Sequence, residues 1–292
     1  MNCFFMNSTT ASALIRTGIV GFIPAILFFG ASTVNADTLG NVSLSFNQLY
    51  IQTSNSAPST APSYFFGANS ATNAGGGSPV FTSASLTGPF PGSPQAMTVN
   101  SGGFSYQTGL MASLNSFGAG SYTISGTRAD STTQSASIAY GGTQYYTSTT
   151  PYISDYSSLA GLNPTQAFTF DFSAFTPNPN ADSEAYTFLN IYNTTTGMSV
   201  FSQNFLPDTT TSVTVPGGSL MANTEYTFDL IYDNRIDGTN SGVATYQLFD
   251  NRTDGTFTTG LGVVATPEPA SAGMMVAGAL SLLLFARRRE RA

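Results

Sequence analysis

Two nearly identical heptapeptides, DNRIDGT at 233–239 and DNRTDGT at 250–256, hold the densest chemistry in this 292-residue chain. Asp233, Asp237, Asp250 and Asp254 offer hard carboxylate oxygens from neighbouring segments, the ligand type that calcium takes. Arg stands third in each heptapeptide, where an EF-hand loop has Asp or Asn, and no Glu follows at the twelfth position, so a helix-loop-helix site is excluded. Asp-Gly is also a tight-turn signal. The plainer reading makes both heptapeptides turns at strand ends, with Arg235 and Arg252 in surface salt bridges to nearby acids. Both readings stand at this point, four calcium-binding aspartates or two similar turns. Carboxylate pairs also suffice for glycoside hydrolysis, but thirteen acids lie between 37 and 266, so some pair falls within about 5–10 Å by chance. Proximity therefore selects no catalytic pair, and Asp229 with Asp233 reads as two solvent-facing residues of one strand.

Absent residue types remove most other chemistry. The chain has no His and no Trp, all eight basic residues are Arg, and the single Cys is Cys3. Ser-His-Asp and Cys-His nucleophile systems, His- or Cys-ligated zinc, structural disulfides, Schiff-base lysine and a Walker phosphate loop are all excluded. Neither Asp-Thr-Gly nor Gly-x-Ser-x-Gly occurs, and the expectation is a protein without enzymatic activity. From 37 to 266 the thirteen acids face only Arg128, Arg235 and Arg252, a net charge of −10. Nucleic acid is a poor partner for such a surface, since its affinity comes from basic side chains neutralising phosphates.

The elements that must position these residues are strands. Segments 41–51, 121–127, 135–140, 166–175, 184–192, 211–215, 225–233 and 243–249 alternate large apolar with small polar residues. In QAFTFDFSAF, Phe168, Phe170 and Phe172 share one face while Thr169, Asp171 and Ser173 take the other. Residues 53–95, rich in Ser, Ala, Pro, Gly and Asn, read as long loops. LNSFGAGSYTISGT (114–127) and LMANTEYTFDLIYD (220–233) each run from a turn through Tyr-Thr into a strand, which invites comparison with immunoglobulin-like sandwiches. The expected fold is all-β, an antiparallel β-sandwich in two immunoglobulin-like or jelly-roll-like units at 37–155 and 156–262. Tyrosines in TQYYTSTTPYISDY (143–156) are the candidates for stacking on sugars.

The two termini read differently. Arg16, the apolar run TGIVGFIPAILFFGAS and the small-residue site VNA ending at Ala36 have the order of a secretory signal peptide, assigned to 1–36. At the other end, Pro267, Glu268 and Pro269 precede the sixteen uncharged residues 271–286, followed by Arg287, Arg288, Arg289 and Arg291. A helix over 271–286 would be about 24 Å long, short of the roughly 30 Å hydrocarbon core. The flanking arginines can snorkel to the headgroups and make it a transmembrane helix with its end in the cytoplasm.

The tail at 263–292 resembles the PEP-CTERM sorting signal of Gram-negative bacteria, in which a Pro-Glu-Pro motif, a short apolar helix and a basic cluster follow in that order. The resemblance implies a substrate of exosortase, a membrane-embedded cysteine transpeptidase, and association with extracellular polysaccharide. It further implies export through an inner-membrane intermediate to the cell surface or extracellular matrix. The functional expectation is a structural or adhesive surface protein, and the alternative is a carbohydrate-binding module acting on matrix polysaccharide.

Overall fold

The computed structural model describes residues 38–73, 81–100, 102–181 and 184–262. The segment read as a signal peptide, the Pro-Glu-Pro motif, the apolar segment and the arginine cluster lie outside the described residues. Among the described residues no helix is long and apolar enough to cross a membrane.

Alternating apolar residues give strands a core face, and the regular elements among the described residues are strands apart from one short 3-10 turn. In order they are β1 (Thr38–Ile51), β2 (Ser63–Asn73), β3 (Phe81–Thr87), β4 (Gln95–Ala96), β5 (Thr98–Asn100), β6 (Gly103–Gln107) and β7 (Gly120–Arg128). They continue as β8 (Thr133–Tyr140), β9 (Phe168–Asp171), β10 (Glu184–Asn193), β11 (Ser199–Pro207), β12 (Ser212–Val215), β13 (Glu225–Asn240) and β14 (Val243–Thr258), with one 3-10 turn at Tyr156–Leu159. One eight-stranded sheet has the order β11-β10-β13-β14-β1-β2-β6-β5. A four-stranded sheet β4-β3-β7-β8 and a two-stranded sheet β12-β9 accompany it. The expected all-β sandwich class holds. The pairing is not wholly antiparallel, because β1 runs parallel to β14 from Asn41↔Ala244 to Ile51↔Asp254.

Two apolar cores lie against one face of the large sheet. In the first, Val42, Leu44 and Phe46 of β1 and Phe66 of β2 meet Leu86, Tyr122, Ile124, Ile138 and Tyr140 of the four-stranded sheet. In the second, Tyr226, Phe228, Leu230 and Tyr232 of β13 with Leu189 and Ile191 of β10 meet Phe170, Val213 and Val215 of the two-stranded sheet. Phe249 belongs to the first core and Phe257 to the second. Their even spacing puts both on one face of β14, so this strand carries side chains into both cores. Residue 155 stands near the point where the chain passes from one core to the other, yet β14 returns Val243 and Phe249 to the first.

Each core holds one of the two Tyr-Thr segments. Tyr122 donates its hydroxyl hydrogen to the Gly118 carbonyl at 3.0 Å, and the Met221 backbone N–H donates to the Tyr226 hydroxyl at 2.8 Å. In both cases a buried tyrosine at the start of a strand ties back to the turn just upstream, the device seen at the corners of immunoglobulin-like sandwiches.

Three readings of the sequence need correction. Residues 53–95 are not simply loops, since β2 and β3 both lie there. The heptapeptides are not turns either, because both lie wholly within strands, 233–239 in β13 and 250–256 in β14. The reversal falls instead at Ser241-Gly242, whose φ values of 52° and 78° make the two-residue primed turn that suits strand twist. The glycines of the Asp-Gly pairs serve close packing. A Cβ on Gly255 would stand 2.6 Å from the Phe228 ring, and one on Gly238 2.8 Å from the Thr245 hydroxyl. Finally, Asp229 and Asp233 do not face solvent; both are buried.

Candidate functional site

With the turn at Ser241-Gly242, antiparallel pairing sets Asp233 directly opposite Asp250. Each begins a heptapeptide, so the two copies run away from this pair in opposite directions and are related by a local twofold axis. Asp229, Asp233, Arg235 and Asp237 of β13 share a face with Asp250, Arg252 and Asp254 of β14, the face turned away from both cores.

The repeat makes the same ion pair twice. Residues i and i+2 of a strand point the same way, which lets each arginine fork onto the aspartate two positions on. Arg235 reaches Asp237 through Nε–Oδ1 at 2.5 Å and Nη2–Oδ2 at 3.2 Å. Arg252 reaches Asp254 through the same atoms at 2.6 and 3.1 Å. Their surroundings differ. The Asp237 side chain is 39% exposed, and Arg235 also lies 3.7 Å from Glu184 and 4.1 Å over the Tyr246 ring. Arg252 and Asp254 are sealed at 2% and 0% exposure, with Asp229 Oδ2 a further 3.4 Å from Arg252. Asn190 donates to Asp229 at 2.8 Å, and Ser202 donates to the Asn190 carbonyl oxygen at 2.5 Å, extending this buried network to β11. The surface salt bridge expected of Arg252 is therefore an interior one.

Of the four aspartates singled out as calcium ligands, the structure brings together Asp233 and Asp250. Asp237 and Asp254 sit on opposite sides of the local axis, each held by its own arginine. Their β14 register positions, Tyr246 and Asp254 itself, are separated by about 26 Å of strand at ~3.3 Å per residue. Among the described residues no three acidic side chains gather as a metal-holding group. Sequence reasoning missed Asn47, Asn190 and Ser202, which complete the site from β1, β10 and β11. The alternation of Asn41, Ser43, Ser45 and Asn47 in β1 was the available signal of a polar inner face.

Burial governs the acid chemistry here. It pushes Asp233 up to about 7 and Asp254 up to about 6, in each case against the pull of a neighbouring arginine. Burial, reinforced by the facing Asp233, also raises Asp250 well above the usual carboxylate range. At neutral pH this pair can share a proton, but at 4% exposure each it presents no open carboxylate to a bulky substrate. The sign of the pH dependence follows. The folded state holds protons on Asp233 and Asp254 that the unfolded chain releases near pH 4, so stability falls as pH rises through roughly 4 to 7. In chelator, the urea midpoint should drop between pH 5 and pH 8, with a slope of at most about 1.4 kcal/mol per pH unit for each proton held. Asp233→Asn should flatten that slope. A midpoint that is constant or rising across this range would show that these carboxyls are not raised.

Three of the four tyrosines of 143–156 pack inward. Tyr145 and Tyr146 meet Phe249 edge-on with ring centroids 5.4 and 6.1 Å away, and Tyr156 meets Phe228 at 6.0 Å while donating to the Thr256 carbonyl at 2.7 Å. All three are spent on packing, which leaves no flat aromatic row at these positions.

No protein-family model matches the chain, and no curated protein matches it either. Among solved structures it is similar to the BSP domain of a biofilm-associated protein, at 12% identity over 69% of this chain with a TM-score of 0.22. This chain spans 28% of the length of that protein. It is also similar to the fibronectin(III)-like modules of Clostridium thermocellum CbhA, at 5% identity over 76% of this chain and 94% of that one, TM-score 0.26. A third is a 1.5-MDa bacterial ice-binding adhesin, at 14% identity over 76% of this chain and 64% of that one, TM-score 0.20. Similarities at this level assign no activity.

Proposed function

We propose that this is an exported, non-enzymatic surface protein of structural or adhesive type, sorted by exosortase through its C-terminal tail. The observation that carries the reading is the order of unlike elements at the C-terminus. Pro267, Glu268 and Pro269 precede an uncharged apolar segment, which ends at Arg287, Arg288, Arg289 and Arg291. A signal-peptide pattern at the opposite end agrees with it. Export to a surface also suits a chain with no cysteine beyond Cys3 and with a charge of −10 between 37 and 266, which favours solubility.

The absence of enzymatic activity is supported by the state of the acids. In a chain without His, Lys or a thiol beyond Cys3, carboxylates and tyrosine hydroxyls are the remaining general acids and bases. The closest set, Asp229, Asp233, Asp250 and Asp254, is buried in the sheet. Intact-mass analysis of the protein recovered from the surface of the producing cells tests the sorting assignment. The expected mass lacks residues 1–36 and everything after the Pro-Glu-Pro motif. Recovery of surface protein that retains the apolar segment and its arginines would refute it.

A further inference from the structure

The centre of the heptapeptide hairpin holds a row of buried, oxygen-bearing side chains. Asn47 of β1 is the register partner of Asp250, and Asp250 is the register partner of Asp233. The three side chains share one face and are 0%, 4% and 4% exposed. The Asn47 amide nitrogen donates to the Phe65 carbonyl on the β2 side at 3.4 Å. That acceptor fixes which end of the amide is nitrogen, so the oxygen is the end that β2 does not hold. Asn47 Oδ1 has no hydrogen-bond partner, and neither has Asp233 Oδ1.

Acceptor atoms crowded together in a dry site are unfavourable unless something positive joins them. The neighbouring arginines are directed elsewhere, Arg235 to Asp237 and Glu184, Arg252 to Asp254 and Asp229, and no described arginine comes within ion-pair distance of Asp233 or Asp250. A single proton between the two carboxylates relieves their mutual repulsion. It leaves Asn47 Oδ1 unserved, because that atom can accept but the shared proton is already held. A metal cation can take oxygens from all three side chains at once.

We infer that Asp233, Asp250 and Asn47 form a binding site for one calcium ion. Two carboxylates and an amide oxygen, with no nitrogen or sulfur ligand, select a hard cation. Three ligands projecting from adjacent strands make an irregular, incomplete shell, which calcium tolerates and completes with water, whereas magnesium requires near-octahedral geometry. The site is narrower than one built from four aspartates. Asp237 and Asp254 are excluded by their arginines, and the third ligand is an amide more than 180 residues away in sequence.

The test uses the full-length chain, stripped with chelator and titrated with calcium chloride or magnesium chloride alone. Equilibrium dialysis should find one calcium per chain, and the melting temperature should rise with calcium and much less with magnesium, because a ion that binds only the folded state stabilises it. Asp233→Asn should abolish both binding and the melting shift. This variant removes a buried charge and keeps the shape, so it remains folded in chelator. Asn47→Ala should weaken binding, while Asp237→Asn should leave it unchanged. Unchanged melting and no bound ion in millimolar calcium would overturn the inference and leave a shared proton as the occupant. Equal loss of binding in Asp237→Asn would overturn the assignment of ligands.

Discussion

Replacing Arg252 with methionine should destabilise the folded chain by about 3–5 kcal/mol at pH 8, the cost of leaving buried carboxylates without their cation. The guanidinium forks onto Asp254 and lies beside Asp229, and both aspartates are wholly buried. Methionine fills a similar volume, so the loss is electrostatic rather than a cavity. Acid supplies the check on that cause. Asp254, raised to about 6, is protonated at pH 5, and burial also pushes Asp229 upward, so the penalty should shrink by more than half at pH 5 in urea unfolding. Arg235→Met, which breaks the same fork in the other copy of the motif, should cost no more than about 1 kcal/mol, because Asp237 reaches water. Equal losses in the two variants, or a loss that ignores pH, would contradict this account.

A second large effect is expected at Phe46. Its ring stacks on Tyr140 at 4.4 Å and Phe249 at 5.4 Å and meets Phe66 edge-on at 5.3 Å, which ties β1 to β2, β14 and the four-stranded sheet. Phe46→Ala removes all three contacts and leaves a cavity, at a cost of about 3–5 kcal/mol. For a chain of this size that corresponds to a fall of roughly 10 °C in melting temperature. Because β14 carries side chains of both cores, the calorimetric transition of the second core should move with the first. A second-core transition that stays at its original temperature would show that the shared strand does not couple them.

Strands whose side chains alternate cleanly could be read directly. β1, β7, β8, β10 and β12 stand close to their expected bounds because apolar residues at every second position leave one burial solution. β2 escaped notice because its central residues, Gly67, Ala68, Asn69 and Ser70, are poor strand formers in isolation. They are selected by their neighbours, since a Cβ on Gly67 would come within 2.5 Å of the Ser45 hydroxyl. The Asp-Gly signals misled for a related reason. Glycine marks either a turn or a close approach, and a local reading cannot distinguish a positive φ from a nearby Phe228 ring. Once the turn is misplaced, the register is lost. The four aspartates then look equivalent, although pairing divides them into a facing pair and two arginine-held outliers. Asn47 joins them only through β1, a parallel neighbour that no local pattern announces.

That parallel neighbour also decides how the molecule responds to a pull. β1 starts beside the Ser241-Gly242 turn and runs alongside β14, whose last residues emerge at the far end of the sheet. The first and last described residues therefore leave in opposite directions along the strand axis. Tension between the two ends acts along the ladder from Asn41↔Ala244 to Ile51↔Asp254, loading its eleven register pairs together in shear rather than peeling them one at a time. A strand order that places the first and last described strands side by side and parallel thus has the geometry of a clamp, in which force along the strand axis meets all the register pairs at once.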